Sequence, residues 1–155
     1  ILSQLSENFE PKNSLQFDSF FAKPINILSS DCFKPEYLPF LVLIVQNTTQ
    51  FSTAQALDGL TSLVSKPSFT PENSKKIYEI VSQEKDISLG NMLFALSTIF
   101  GNKNFKSKHL DEVQKFVKEA KKEEALRFIY VLNAKLDSEP VNSNSSLGSA
   151  CGGGA

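Results

Sequence analysis

Few residues in this chain could do covalent or metal chemistry, and His109 is the only histidine. Serine–histidine–aspartate catalysis, cysteine–histidine catalysis and imidazole-based metal sites would all lean on that one ring. It stands between Lys108 and Leu110 in the first turn of an expected helix, which predicts a solvated role. Cys32 precedes Phe33 in a turn and reads as a small buried hydrophobe rather than a nucleophile. The second cysteine, Cys151, lies in a Gly/Ser tail, which argues against a bond between the two. Glu123 and Glu124 are adjacent carboxylates, but they close the charged run KEAKKEE (118–124), the pattern of a solvated face. There is no glycine-rich phosphate or dinucleotide loop and no spaced Cys/His set. The expectation is therefore no catalytic residue, no cofactor-binding residue, no metal ligand and no enzymatic activity.

Binding chemistry is the other possibility. Lys103, Lys106, Lys108, Lys115, Lys118, Lys121 and Lys122 cluster within 20 residues and could receive an acidic partner or RNA. Asp111, Glu112, Glu119, Glu123 and Glu124 are interspersed among them, so surface pairing at i,i+4 is the expectation. The chain as a whole has 16 basic and 17 acidic residues, a net charge of -1. Such a balance gives no general field for a phosphate backbone or an anionic membrane, and no nucleic-acid partner is expected. Two N-glycosylation sequons occur, at Asn47-Thr48-Thr49 and Asn144-Ser145-Ser146. In a chain this rich in Asn, Ser and Thr they arise by chance, and they assign no compartment.

What must position any site is a repeat. Phe69 to Val81, FTPENSKKIYEIV, aligns without gaps with Phe33 to Val45, 36 residues upstream, and with Phe105 to Val117, 36 downstream. Phe33, Phe69 and Phe105 coincide, as do Leu41, Ile77 and Val113. A second set follows the same register: Leu57/Leu93/Ile129, Leu60/Leu96/Leu132 and Ile27/Leu63/Ile99. A period of this length marks units of two helices, each a hairpin that buries its apolar stripe only against its neighbours. The three phenylalanines beside helix starts read as staples that pack each hairpin turn.

The expected class is all-α, in tandem 36-residue helical hairpins forming a solenoid or part of an α/α toroid, with about seven or eight helices. The repeat domain spans residues 1–136, with units near 15–50, 51–86 and 87–122 and a partial one over 123–136. Residues 1–22 read as a short helix and the start of a second, cut by Pro24. Lys34-Pro35-Glu36 and Thr70-Pro71-Glu72 are favourable helix starts, with Thr70 as a cap. Tyr37 to Gln46 is apolar nearly all round, which predicts a helix buried on more than one face. Further helices are expected over 52–65, 87–100 with Asp86 as cap, 107–122 and 124–136, with Gly101-Asn102 as a glycine stop. From Asp137 the sequence turns to SEPVNSNSSLGSACGGGA, which is expected to be disordered.

Hydrophobic residues make up 41% of the 155 and charged residues 21%, an ordinary soluble balance with a real core. The longest apolar run, Leu38 to Val45, is too short to span a bilayer, and no signal peptide is expected among these residues. The chain does not begin with Met, which suggests a fragment or a processed chain.

Four segments carry a resemblance: FFAKPINILSSDC (20–32) running into YLPFLVLIV (37–45), AQALDGLTSL (54–63) and EALRFIYVLNAKL (124–136). Together they resemble the N-terminal helical region of the ribophorin II family, a subunit of the oligosaccharyltransferase complex. The resemblance implies a non-catalytic, structural subunit supporting protein N-glycosylation on the lumenal face of the endoplasmic reticulum. Its partners would be other protein subunits, and its membrane association would come only through segments absent from this chain. No functional residue is carried over. The alternative is a soluble, cytoplasmic helical solenoid that binds a protein or peptide. An inactive relic of a helical-toroid enzyme is a weaker third reading, since no acid-rich or histidine-rich cavity motif is present.

Overall fold

In the computed structural model, residues 31–49 and 51–140 are described. They form six α-helices: α1 (Leu38–Asn47), α2 (Thr53–Val64), α3 (Pro71–Val81), α4 (Asp86–Phe100), α5 (Ser107–Glu119) and α6 (Lys122–Asp137). A 3₁₀ turn, Pro35–Tyr37, leads into α1. The described residues contain no strand, and the class is all-α. The helices expected within residues 1–22, and the break at Pro24, lie outside the described residues.

The helices start where backbone donors find partners. Pro35 and Pro71 each occupy a first position, where a missing N–H costs nothing. Thr70 caps α3, its hydroxyl accepting from Asn73 N at 3.1 Å. Ahead of α2, the Thr53 hydroxyl donates to Thr49 O at 2.7 Å and meets the Thr48 hydroxyl at 2.8 Å.

Three local expectations are corrected. Asp86 is not the cap of α4 but its first residue, held at φ 54. The cap position is Lys85, and the Ser88 hydroxyl closes back on it, donating to its carbonyl at 2.7 Å. Gly101 does end α4, yet its φ of -78 is right-handed, so no left-handed glycine cap is used. Its N–H donates to Ser97 O at 3.1 Å instead. Finally, α5 stops at Glu119 and α6 already begins at Lys122, because Ala120 is extended at φ -118, ψ 166. The charged run gives the chain no apolar stripe there to hold one continuous helix.

The helices pack in two rows. In one row α2 lies on α4 and α4 on α6; in the other the Pro35–Tyr37 turn lies on α3 and α3 on α5. Contacts between α1 and α2 and between α5 and α6 join the rows. The aligned apolar positions fall in the core between them. Leu57, Leu93 and Ile129 are buried, and so are Leu60, Leu96 and Leu132. The α1 run is buried at Phe40, Leu41, Leu43 and Ile44, on more than one face as its composition demands.

Aromatic rings run through this core along the hairpin turns. Phe69 stands 4.8 Å from Tyr37 and 6.0 Å from Phe100, and Phe100 stands 4.7 Å from Phe105. Phe69 is fully buried, while Phe33 and Phe105 are half-buried against the same cluster. Deleting the Phe69 ring would cost about 3–5 kcal/mol, a large share of a domain's stability. Between the rows, Phe116 of α5 stacks on Phe128 of α6 at 4.2 Å.

One pair of glycines sets how closely α2 and α4 approach. A Cβ on Gly59 would sit 2.9 Å from the Leu93 Cβ, and one on Gly90 would sit 3.1 Å from Gln55 Cγ. The first contact forces a shift, while the second asks Gln55 to give by a few tenths of an ångström.

The polar tail begins later than its composition suggests. Asp137 still belongs to α6 and accepts from Asn102 Nδ2 at 2.8 Å. Asn104 Nδ2 then holds Leu136 O at 2.9 Å and Glu139 O at 3.3 Å. Residues 141–155 lie outside the described residues.

Candidate functional site

The residues singled out for chemistry do not come together. His109 is buried rather than solvated, only 8% exposed. At the third position of α5 its Nδ1 accepts the backbone N–H of Lys106 at 2.9 Å, the reach-back half of a capping box. That bond puts the neutral ring's proton on Nε2. The ring also packs 5.8 Å from Phe105. A short polar ring at a helix start can do what Glu or Gln does there, and this turns an expected surface residue into a structural one.

Cys32 is half-buried, but it is disulfide-bonded rather than a free small hydrophobe. The only other cysteine of the chain, Cys151, lies outside the described residues. The expectation about a bond between Cys32 and Cys151 therefore falls on a residue outside the described ones. Glu123 and Glu124 are exposed in the first turn of α6, where negative charge suits the helix end. Asn47 is the last residue of α1 and half-buried. Asn144 lies outside the described residues.

Among the described side chains, Asp111 does not pair along its own helix as expected. Asp111 instead reaches across to α3, where Lys76 Nζ meets its carboxylate at 2.8 Å. That hydrogen bond, with the Asp111 and Glu72 charges, raises the Lys76 pKa above its ordinary value. Lys103, Lys106, Lys108, Lys115, Lys118 and Lys121 are exposed. Lys103, Lys106 and Lys108 share a recess of about 290 Å³ with His109 and Glu139.

Side chains 35 or 36 residues apart meet across neighbouring helices. Gln55 Nε2 donates to Asn91 Oδ1 at 3.2 Å, 36 residues on. Ser62 bonds Ser97, and Gln114 donates to Glu79, each pair 35 residues apart.

Three clefts open along these helices. The first, about 530 Å³, opens between α1 and α3 over Pro39, Phe40 and Tyr78, with Glu36, Lys75 and Glu79 at its edge. Phe40 and Tyr78 meet edge to face at 5.6 Å and form its apolar floor. The second, about 440 Å³, lies between the ends of α3 and α5 and the start of α6. Ile80, Val117, Ala120 and Ala125 line it with Glu79, Glu84 and Lys118. The third, about 150 Å³, has Met92 and Leu126 as apolar walls, with Glu84 and Glu123 beside them. The first and second clefts share Glu79, and the second and third share Glu84.

Composition and motif reading missed this run of clefts because no residue in it is unusual by type. One signal was available. Glu84 falls in register with Thr48 and Ala120, small residues at hairpin turns, and it is only 4% exposed. A carboxylate at such a place stands out once the period is known.

Among the described residues no group of His, Cys, Asp and Glu is arranged to hold a metal ion, and no helix is long and apolar enough to cross a membrane. Neither a protein-family model, nor a curated protein, nor a solved structure matches this chain.

Proposed function

We propose that the chain is a non-catalytic interaction scaffold built of stacked helical hairpins, which binds a protein segment along its linked clefts. The observation that carries this reading is that the three clefts adjoin, with Glu79 lining the first two and Glu84 the last two. A stack of hairpins cross-linked at the repeat spacing is a rigid platform, and concave apolar sites with a few fixed polar groups are where such platforms hold ligands. Hydrogen bonds such as Gln55 to Asn91 and Gln114 to Glu79 supply that cross-linking.

The resemblance to ribophorin II gives this role a setting. In it the chain is an accessory subunit of the oligosaccharyltransferase complex, and its partners are fellow subunits at the lumenal face of the endoplasmic reticulum. The alternative setting is a soluble scaffold in the cytoplasm.

Lys75 and Lys118 line the clefts and serve as built-in reporters. Amine cross-linking in cells, followed by mass spectrometry, is expected to join these two lysines to another polypeptide, with Lys66 and Lys135 left unlinked. Cross-links to oligosaccharyltransferase subunits support the first setting; cross-links to cytoplasmic proteins support the second. Partner cross-links that avoid Lys75 and Lys118 would overturn the scaffold reading itself.

A further inference from the structure

Composition gives the sequon Asn47-Thr48-Thr49 no weight, but its place in the fold does. Six asparagines fall among the described residues, and five of them are tied down through the side chain. Asn73 Nδ2 donates to Ser68 O at 2.8 Å, and Asn91 Oδ1 accepts from Gln55 at 3.2 Å. Asn102 Nδ2 donates to Asn133 Oδ1 at 3.0 Å, and Asn104 Nδ2 donates to Leu136 O at 2.9 Å. Asn47 is the exception. It is half-buried at the end of α1, and its side chain has no hydrogen-bond partner. Of the six it is also the one that begins a sequon. An unbonded amide at a helix end can take a bulky substituent with no internal hydrogen bond broken.

We propose that Asn47 carries an N-linked glycan, added before its turn folds. This rests on the lumenal setting of the scaffold, not on what its clefts hold. The disulfide at Cys32 agrees with that setting, since such bonds persist in oxidising compartments, where sequons are read. In the transfer, Asn47 Nδ2 bonds to C1 of an oligosaccharide carried on a lipid pyrophosphate. The bond from C1 to the pyrophosphate oxygen breaks, that oxygen keeps the electron pair, and the amide gives one proton to a base of the transferase. The folded turn is closed to this reaction. Asn47 is helical there, Thr48 is only 8% exposed, and the Thr49 hydroxyl meets Ser52 Oγ at 3.2 Å. The three residues are therefore readable as one extended segment only before α1 and α2 form. Asn47 stands at the opposite end of α1 from Pro39 and Phe40, so the glycan leaves the cleft over those two residues open.

The test is peptide mapping of the protein isolated from the cells that make it, before and after an amidase that cleaves Asn-linked glycans. Run in heavy-oxygen water, the amidase converts each glycosylated Asn to an isotope-labelled Asp that mass spectrometry reads. Label at Asn47 is the expected result. An Asn47→Gln chain made in the same cells should migrate faster than the parent, while Thr49→Ser, which keeps a hydroxyl at the third position, should keep the glycan. Label at Asn144 alone would overturn the proposal and leave the lumenal setting standing. So would an unlabelled Asn47 in a chain that fractionates with the endoplasmic reticulum and has Cys32 disulfide-bonded. An unlabelled Asn47 with a free Cys32 thiol in a cytoplasmic chain would remove the proposal and the lumenal setting together. Glycosylation of the refolded, bare protein by microsomes as fast as of the nascent chain would overturn the order of events.

Discussion

His109 and Lys106 are joined through imidazole Nδ1 and backbone N–H at 2.9 Å, so the only histidine of the chain closes the start of α5. Replacing it with Ala removes both the acceptor and a buried ring. A loss of about 1–3 kcal/mol is expected. His109→Gln keeps an acceptor able to reach back, and should recover part of that loss. Urea unfolding midpoints of the two variants measure the difference. Equal losses would mean that packing against Phe105, not the cap, is what the ring provides.

Gly59 is expected to tolerate no side chain. In Gly59→Ala the new Cβ would lie 2.9 Å from the Leu93 Cβ, so α2 and α4 must separate. Overpacking of this kind costs about 1–3 kcal/mol, offset by up to about 1 kcal/mol of helix propensity. A net drop in melting temperature is the expected result. A rise would show that the two helices can slide apart freely.

Stability should fall at alkaline pH, and Tyr37 should be one reason. Its phenol is buried and donates to Phe69 O at 3.3 Å. Burial first, and the Glu36 carboxylate second, raise its pKa above the ordinary 10.0. The folded state therefore keeps this proton where the unfolded chain releases it. The contribution is full below the ordinary phenol value and is lost as pH rises through the raised one. Lys76 acts with the same sign, since its pKa is also raised in the fold, chiefly by the hydrogen bond to Asp111. Tyr37→Phe should flatten the alkaline limb of a stability–pH profile, and adding Lys76→Met should flatten it further. A limb unchanged in the double variant would exclude both groups as its source.

Asp86 opens α4 at φ 54, a backbone region that Asp tolerates and β-branched residues do not. Asp86→Val is expected to destabilise by about 1–2 kcal/mol. Asp86→Gly should be close to neutral, because lost first-turn charge offsets relieved strain. Chemical denaturation of the pair gives the ordering. Equal stabilities would mean that the residue can relax to a negative φ.

Hydrophobic periodicity alone predicts the six described helices and the inward face of most of them. Leu57, Leu93 and Ile129, aligned by a spacing of 36, are all buried, and so are Leu41, Ile77 and Val113. Periodicity carries this much because the gain from burying an apolar side chain depends mainly on which face it occupies. The cap at Thr70 was equally legible, since it is made within one turn. Whatever depends on the distance and rotation between helices emerges only from their packing. Asp111 was expected to pair along α5, but the packing of α3 beside α5 brings Lys76 closer to its carboxylate. His109 was expected in water, but the approach of α5 to the Phe105 turn encloses it. The linked clefts are of the same kind. They open between neighbouring helices, and the distance between two helices is set by side chains on both of them, far apart in the chain.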